Sequence, residues 1–117
     1  MPHVVLIGAI LVDDIFPLLK PVLIRNQGGI LKTDAMYISQ DNSSILIESL
    51  AIEEGKKRSF FTLIGQRDDG LVIRIYPGSV VEKTAGVKSI LSEIAKQLIG
   101  RFPQVRIGET NLMEFLK

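Results

Sequence analysis

The stretch Ser44–Tyr76, SILIESLAIEEGKKRSFFTLIGQRDDGLVIRIY, decides the fold. It holds three runs rich in Ile, Leu, Val and Phe, set apart by the polar turns Glu53-Glu54-Gly55-Lys56 and Arg67-Asp68-Asp69-Gly70. β-Branched and aromatic runs bounded by Gly and Asp read as strands, and Asp-Gly is a strong hairpin signal. The spacing predicts strands over Ser44–Ile52, Lys57–Gln66 and Leu71–Tyr76. A fourth run, Ile30–Ser39, precedes them across Gln40-Asp41-Asn42-Ser43, and Pro77-Gly78 ends the series. Four strands joined by such short loops can only be antiparallel neighbours, so the centre of the chain is a β-meander.

Working outward, His3–Val12 is an apolar, largely β-branched run that suits a strand covered on both faces. Asp13 and Asp14 are placed to cap a short helix holding Ile15, Phe16 and Pro17, because early helical N–H groups lack intrahelical acceptors. Pro21 should kink or stop that helix before Gly28-Gly29. Beyond the meander, Ser79–Ile99 reads as a long helix. Ser79 and Glu82 have the spacing of a capping box. Val87, Ile90, Leu91, Ile94, Ala95 and Leu98 form one apolar stripe, and Gly100 and Pro103 end it. A short strand, Gln104–Ile107, and a helical turn, Asn111–Leu116, follow. The expectation is one α+β domain over residues 1–117, an antiparallel β-meander in the order β-α-β-β-β-β-α-β-α, with one long C-terminal helix packed on the sheet.

Composition narrows the function classes. With 117 residues the chain is long enough for one self-sufficient core. Its 46% hydrophobic content and mean hydropathy of +0.28 exceed what a small domain can easily bury alone, which points to oligomer contact. There is no cysteine, so disulfides, thiolate metal sites and thiol nucleophiles are excluded. The single histidine, His3, is expected to be a frayed side chain near the chain start. A formal net charge of +1, with both signs mixed along the chain, lacks the basic surplus of a phosphate-backbone binder. The apolar opening is too short to span a bilayer and has no basic flank for a signal peptide. Together these features suggest a cytoplasmic protein.

The second face of the meander is the informative feature. Side chains alternate along a strand, so each strand offers two faces. A solvated antiparallel sheet keeps one of them polar. Here both are apolar. One face meets the long helix, and the other is expected to carry Ile45, Ile47, Phe61, Leu63, Val72 and Tyr76. Leaving such side chains wet forgoes about 1.5–3 kcal/mol each. The first strand–helix unit, a second copy of the chain or another partner could cover them.

Few residues invite chemistry. Glu48 and Arg74 interrupt apolar strands and are expected on opposite faces. Arg74 and Tyr76, two apart, could line a pocket for an anionic or planar ligand, although an arginine reaching water over Tyr76 explains them as well. Asp13-Asp14 could act as paired acids or hold magnesium, but capping accounts for both. Lys56-Lys57-Arg58 reads as a solvated tip. Phosphate-loop, dinucleotide and nucleophile-elbow patterns are absent. The expectation is therefore a non-enzymatic protein-interaction or accessory module, self-associating or docking a protein partner through an apolar sheet face. No cofactor, metal, nucleic acid or membrane contact is expected. The alternative is a small-molecule-binding protein or small enzyme with a pocket between sheet and helix, using Glu48, Arg74 and Tyr76.

Overall fold

A computed structural model describes residues 1–117. Seven strands form one antiparallel sheet: β1 (His3–Ile7), β2 (Leu23–Asn26), β3 (Gly29–Ile38), β4 (Ser44–Glu53), β5 (Lys56–Arg67), β6 (Gly70–Ile75) and β7 (Arg106–Thr110). Their spatial order is β2-β3-β4-β5-β6-β1-β7. The helices are α1 (Val12–Ile15), continued by a 3-10 turn over Phe16–Leu18, and α2 (Ala85–Arg101). A second 3-10 turn, Met113–Phe115, follows β7. The antiparallel α+β architecture with a helix on the sheet is as expected. No helix is long and apolar enough to cross a membrane.

The four expected meander strands form within a residue or two of their predicted bounds, and a fifth, β2, precedes them. The first helix and its 3-10 turn end at Leu18, and the chain is already extended at Leu19, ahead of the expected stop at Pro21. The β-branched Val22 and Ile24 then run extended, and Asn26 pairs with Gly29 across a tight turn. Gly29 lies at φ +151°, where an added Cβ would run into the Ile52 carbonyl of β4. At the next turn the Asp41 carboxylate takes hydrogen bonds from the hydroxyls of Ser39 and Ser43 and from the Ser43 N–H. These bonds hold its pKa below the ordinary carboxylate value.

The first strand is shorter than expected and ends at Ile7, because Gly8 turns away at φ +152°. Asp13 and Asp14 lie inside the first turn of α1, with no side-chain cap bond at its start. Gln66 of β5 supplies that cap. Its Oε1 accepts from the Val12 N–H at 2.8 Å, and its Nε2 donates to the carbonyls of Ile10 and Gly70. His3 is not frayed. It opens β1, which lies between β6 and β7, and its backbone N–H donates to Asn111 Oδ1 at 3.0 Å.

The N-cap of the long helix lies five residues later than the capping-box spacing predicts. Ser79 instead closes the Pro77-Gly78 turn, its N–H donating to the Tyr76 carbonyl and its Oγ accepting from the Phe61 N–H. Glu82 reaches Arg58 at 3.2 Å. The true N-cap is Thr84, whose Oγ1 accepts from the Val87 N–H. A second cap comes from the end of β4. Glu53 Oε2 accepts from the Gly86 N–H at 2.9 Å, and its Oε1 accepts from the Thr84 hydroxyl. A carboxylate suits the positive end of the helix dipole. Gly86 makes the approach possible, since a Cβ there would stand 2.6 Å from the Glu53 carboxyl carbon.

The expected apolar stripe of α2 is buried throughout. It packs on the inner sheet face, formed by Val4, Leu6, Ile45, Ile47, Phe60, Ile64, Leu71, Ile73 and Ile75. Two buried hydroxyls interrupt this face, Ser49 and Thr62, and they satisfy one another at 2.8 Å.

Because Glu53 accepts from the Gly86 N–H and from the hydroxyl of the N-cap Thr84, Glu53→Ala should lower the unfolding free energy by about 1–3 kcal/mol. Glu82→Ala, which removes an exposed carboxylate from an Arg58 that still has Glu53, should cost less than about 1 kcal/mol. Urea denaturation of both variants checks this. Equal midpoint shifts would sink the capping role of Glu53.

Candidate interaction face

The outer face of the sheet is set by its turns. Glu54 and Gly55 both have positive φ, +52° and +78°, the signature of a two-residue hairpin turn, and they pair Glu53 with Lys56. Odd positions of β4 therefore share a face with even positions of β5, as Ile45 with Ile64 and Ile47 with Thr62. This corrects the expected set. Ile45 and Ile47 lie fully buried beneath α2, on the opposite side from Phe61 and Leu63. Leu46 and Leu50 take their places outside. The length of the turn was the signal that could have found this, since it fixes which parity meets which.

The β5–β6 hairpin pairs Arg67 with Gly70 and repeats the odd-with-even rule. Two rows run across the outer face. In one, Leu46, Leu63, Arg74 and His3 stand abreast on β4, β5, β6 and β1. In the other, Glu48 stands beside Phe61, and Tyr76 follows, its N–H donating to the Phe61 carbonyl at 2.8 Å. Val72 flanks the first row and Leu50 the second. Phe61 and Tyr76 are 36% and 40% exposed. Neither helix crosses this face. The stripe of α2 packs on the inner side, and α1 is tied to the inner-side residue Gln66, so the first strand–helix unit does not cover the outer apolar residues.

Glu48 and Arg74 were expected on opposite faces. They share the outer one, on strands either side of β5 and offset by two positions along it, so roughly 12 Å apart. Glu48 Oε2 accepts from the Tyr37 hydroxyl at 2.7 Å. That bond, together with the charge of Glu48, pushes the Tyr37 phenol above its ordinary pKa. Arg74 makes no ion pair, and its Nε is shielded from solvent without a hydrogen-bond partner. A shallow depression of about 520 Å³ beside Glu48 is lined by Lys32, Asp34, Leu50, Lys57 and Phe61. It lies where β3 bulges between Thr33 and Met36.

The pocket imagined between sheet and helix with Glu48 or Arg74 inside does not form around those residues, because α2 covers the other face. A polar cleft of about 550 Å³ does open at the start of α2, between the ends of the β2–β3 and β4–β5 hairpins. Three of its charges are already engaged: Arg58 lies 3.6 Å from Glu53 and 3.2 Å from Glu82, and Glu53 caps the helix, whereas Glu54 and Lys56 at the hairpin tip make no ion pair. Of the basic run, only Lys56 and Lys57 are left exposed at the hairpin tip. Asp13 and Asp14 are exposed on α1. Compared with protein-family models, with curated proteins and with solved structures, the chain matches none.

The Tyr37–Glu48 contact favours the neutral phenol. Its stabilising effect is present below the ordinary phenol pKa and is lost as pH rises through the raised value. Glu48→Gln should therefore bring one of the two tyrosine titrations down toward the ordinary phenol range, followed by ultraviolet absorbance. An unchanged titration would mean that Glu48 does not hold Tyr37 in solution.

Proposed function

We propose that the chain is a non-enzymatic interaction module of the cytoplasm that self-associates through its outer sheet face. The observation that carries this reading is the content of that face. Leu46, Leu50, Phe61, Leu63 and Val72 lie on three neighbouring strands, with Glu48 and Arg74 set among them and Lys32, Asp34 and Lys57 along the β3 side. A sheet face that stays in water is normally polar, and contiguous apolar patches mark binding surfaces.

The residue types fit as well. Interface centres favour aromatic residues and arginine, and Phe61, Tyr76 and Arg74 supply both. The high apolar content of a small chain has a destination in such a contact, because obligate dimer interfaces resemble a domain core cut in half. The lack of cysteine suits a reducing cytoplasm, although it does not require one.

Sedimentation equilibrium provides the test. The purified protein should be dimeric at micromolar concentration, and Phe61→Lys should weaken the dimer by roughly tenfold or more while leaving the circular dichroism spectrum unchanged. A wild-type protein that stays monomeric at high micromolar concentration would overturn the proposal.

A further inference from the structure

We infer that two copies stack outer face to outer face about a two-fold axis running along β5, so that Arg74 of each reaches Glu48 of the other. This rests on the self-association reading above and names its geometry. A two-fold interface uses the same patch twice, so every contact between unlike residues occurs as a reciprocal pair. Toward β3 the face carries Lys57 and the Lys32–Asp34 pair, but at its centre stand Arg74, which has no ion pair, and Glu48, and these are self-complementary if the symmetry places each over the other.

The register selects the axis. Glu48 stands on β4 beside Phe61, and Arg74 stands on β6 beside Leu63, with β5 between them. An axis along β5 exchanges the β4 side of one copy with the β6 side of its partner, which carries Arg74 over to the Glu48 strand. The two positions are offset by one row, about 7 Å along the strand, a gap that a long arginine side chain and a small crossing angle between the sheets can close. An axis running across the strands would instead keep β4 over β4 and β6 over β6, bringing like charges toward one another. Along β5 the axis passes over Phe61 and Leu63, which then meet their own symmetry mates at the centre of the contact, where interface energy is concentrated.

The hydrogen-bonding state of both side chains agrees with this arrangement. Arg74 has no partner within the chain: its Nε is covered by the chain itself, and its terminal nitrogens are the donors open to an arriving carboxylate. Glu48 is steadied by Tyr37 through Oε2, and Oε1 takes no hydrogen bond within the chain. A guanidinium arriving from the partner can bind such a carboxylate in the charge-assisted way that arginine favours.

Charge exchange tests the axis. Glu48→Arg alone sets arginine against Arg74, and Arg74→Glu alone sets glutamate against Glu48, so each variant should dimerise at least about 30-fold more weakly than wild type. Mixed together they should form a heterodimer. The introduced arginine at position 48 then meets the introduced glutamate at position 74, and native Glu48 and Arg74 pair at the other end. Native mass spectrometry counts the three species, and circular dichroism verifies folding. The double variant Glu48→Arg/Arg74→Glu should dimerise by itself. If the single variants fail to fold, a spin label at Ser59→Cys, exposed on β5 outside the Phe61–Leu63 centre of an otherwise cysteine-free chain, should show dipolar coupling between copies across the axis. A wild-type dimer that Phe61→Lys dissociates, but in which mixing restores nothing and Ser59 labels show no coupling, overturns the axis and leaves the outer-face reading standing. A wild-type monomer overturns both.

Discussion

The pairing of Glu53 with Lys56 across the turn Glu54-Gly55 governs more of this molecule than its size suggests. A two-residue turn with positive φ at both positions twists with the strands it joins and leaves no freedom in register. A slip of one residue would send Ile45, Ile47 and Ala51 outward and bring Glu48 beneath α2. The inner face is uniform because the next hairpin, closed by Arg67 and Gly70, keeps the same parity and adds Leu71, Ile73 and Ile75 to the same side. The same turn delivers Glu53 to the start of α2, so sheet register and helix capping share one cause.

Polar groups inside the core are few and self-contained. Ser49 and Thr62 lie side by side beneath the helix and answer each other, and Thr33 Oγ1 accepts from the Val22 N–H. Outside, the charged residues are spaced so that apolar ones remain continuous between them. The sheet is therefore double-sided in an unequal way. Its inner face is sealed by α2, and its outer face is apolar at the centre of β4, β5 and β6, where Arg74 has no ion pair and Glu48 is half engaged by Tyr37, and charged toward Lys32, Asp34 and Lys57.

What could be read from the amino-acid sequence follows from the range of each signal. Strands β3 to β6 were legible because alternation and turn residues act within a few positions. The stripe from Val87 to Leu98 was legible because helical spacing is equally local. Strand β2 was hidden because four residues after a proline carry too little pattern to separate from the end of a helix. The start of α2 was misplaced for a different reason. Ser79 and Glu82 have the right spacing, but the contest was decided by Thr84 and by a carboxylate 33 residues before Gly86. The outer face is half legible: strand alternation places Phe61, Leu63, Val72 and Tyr76 there, but it cannot place Ile45 and Ile47, because alternation within a strand says nothing about its phase relative to the next. That phase resides in the turn. Glu48 and Arg74 were separated by the same error.

The long-range cap on α2 also bears on the order of folding. A helix whose first turn borrows its acceptor from a distant hairpin is not an autonomous unit, and it cannot finish its start before β4 and β5 have closed. Fraying at Gly86 would then report on the hairpin rather than on the helix. Hydrogen exchange at the beginning of α2 should follow the opening of the sheet, while the middle of the helix follows its own packing, which ties two elements far apart in the chain into one cooperative unit.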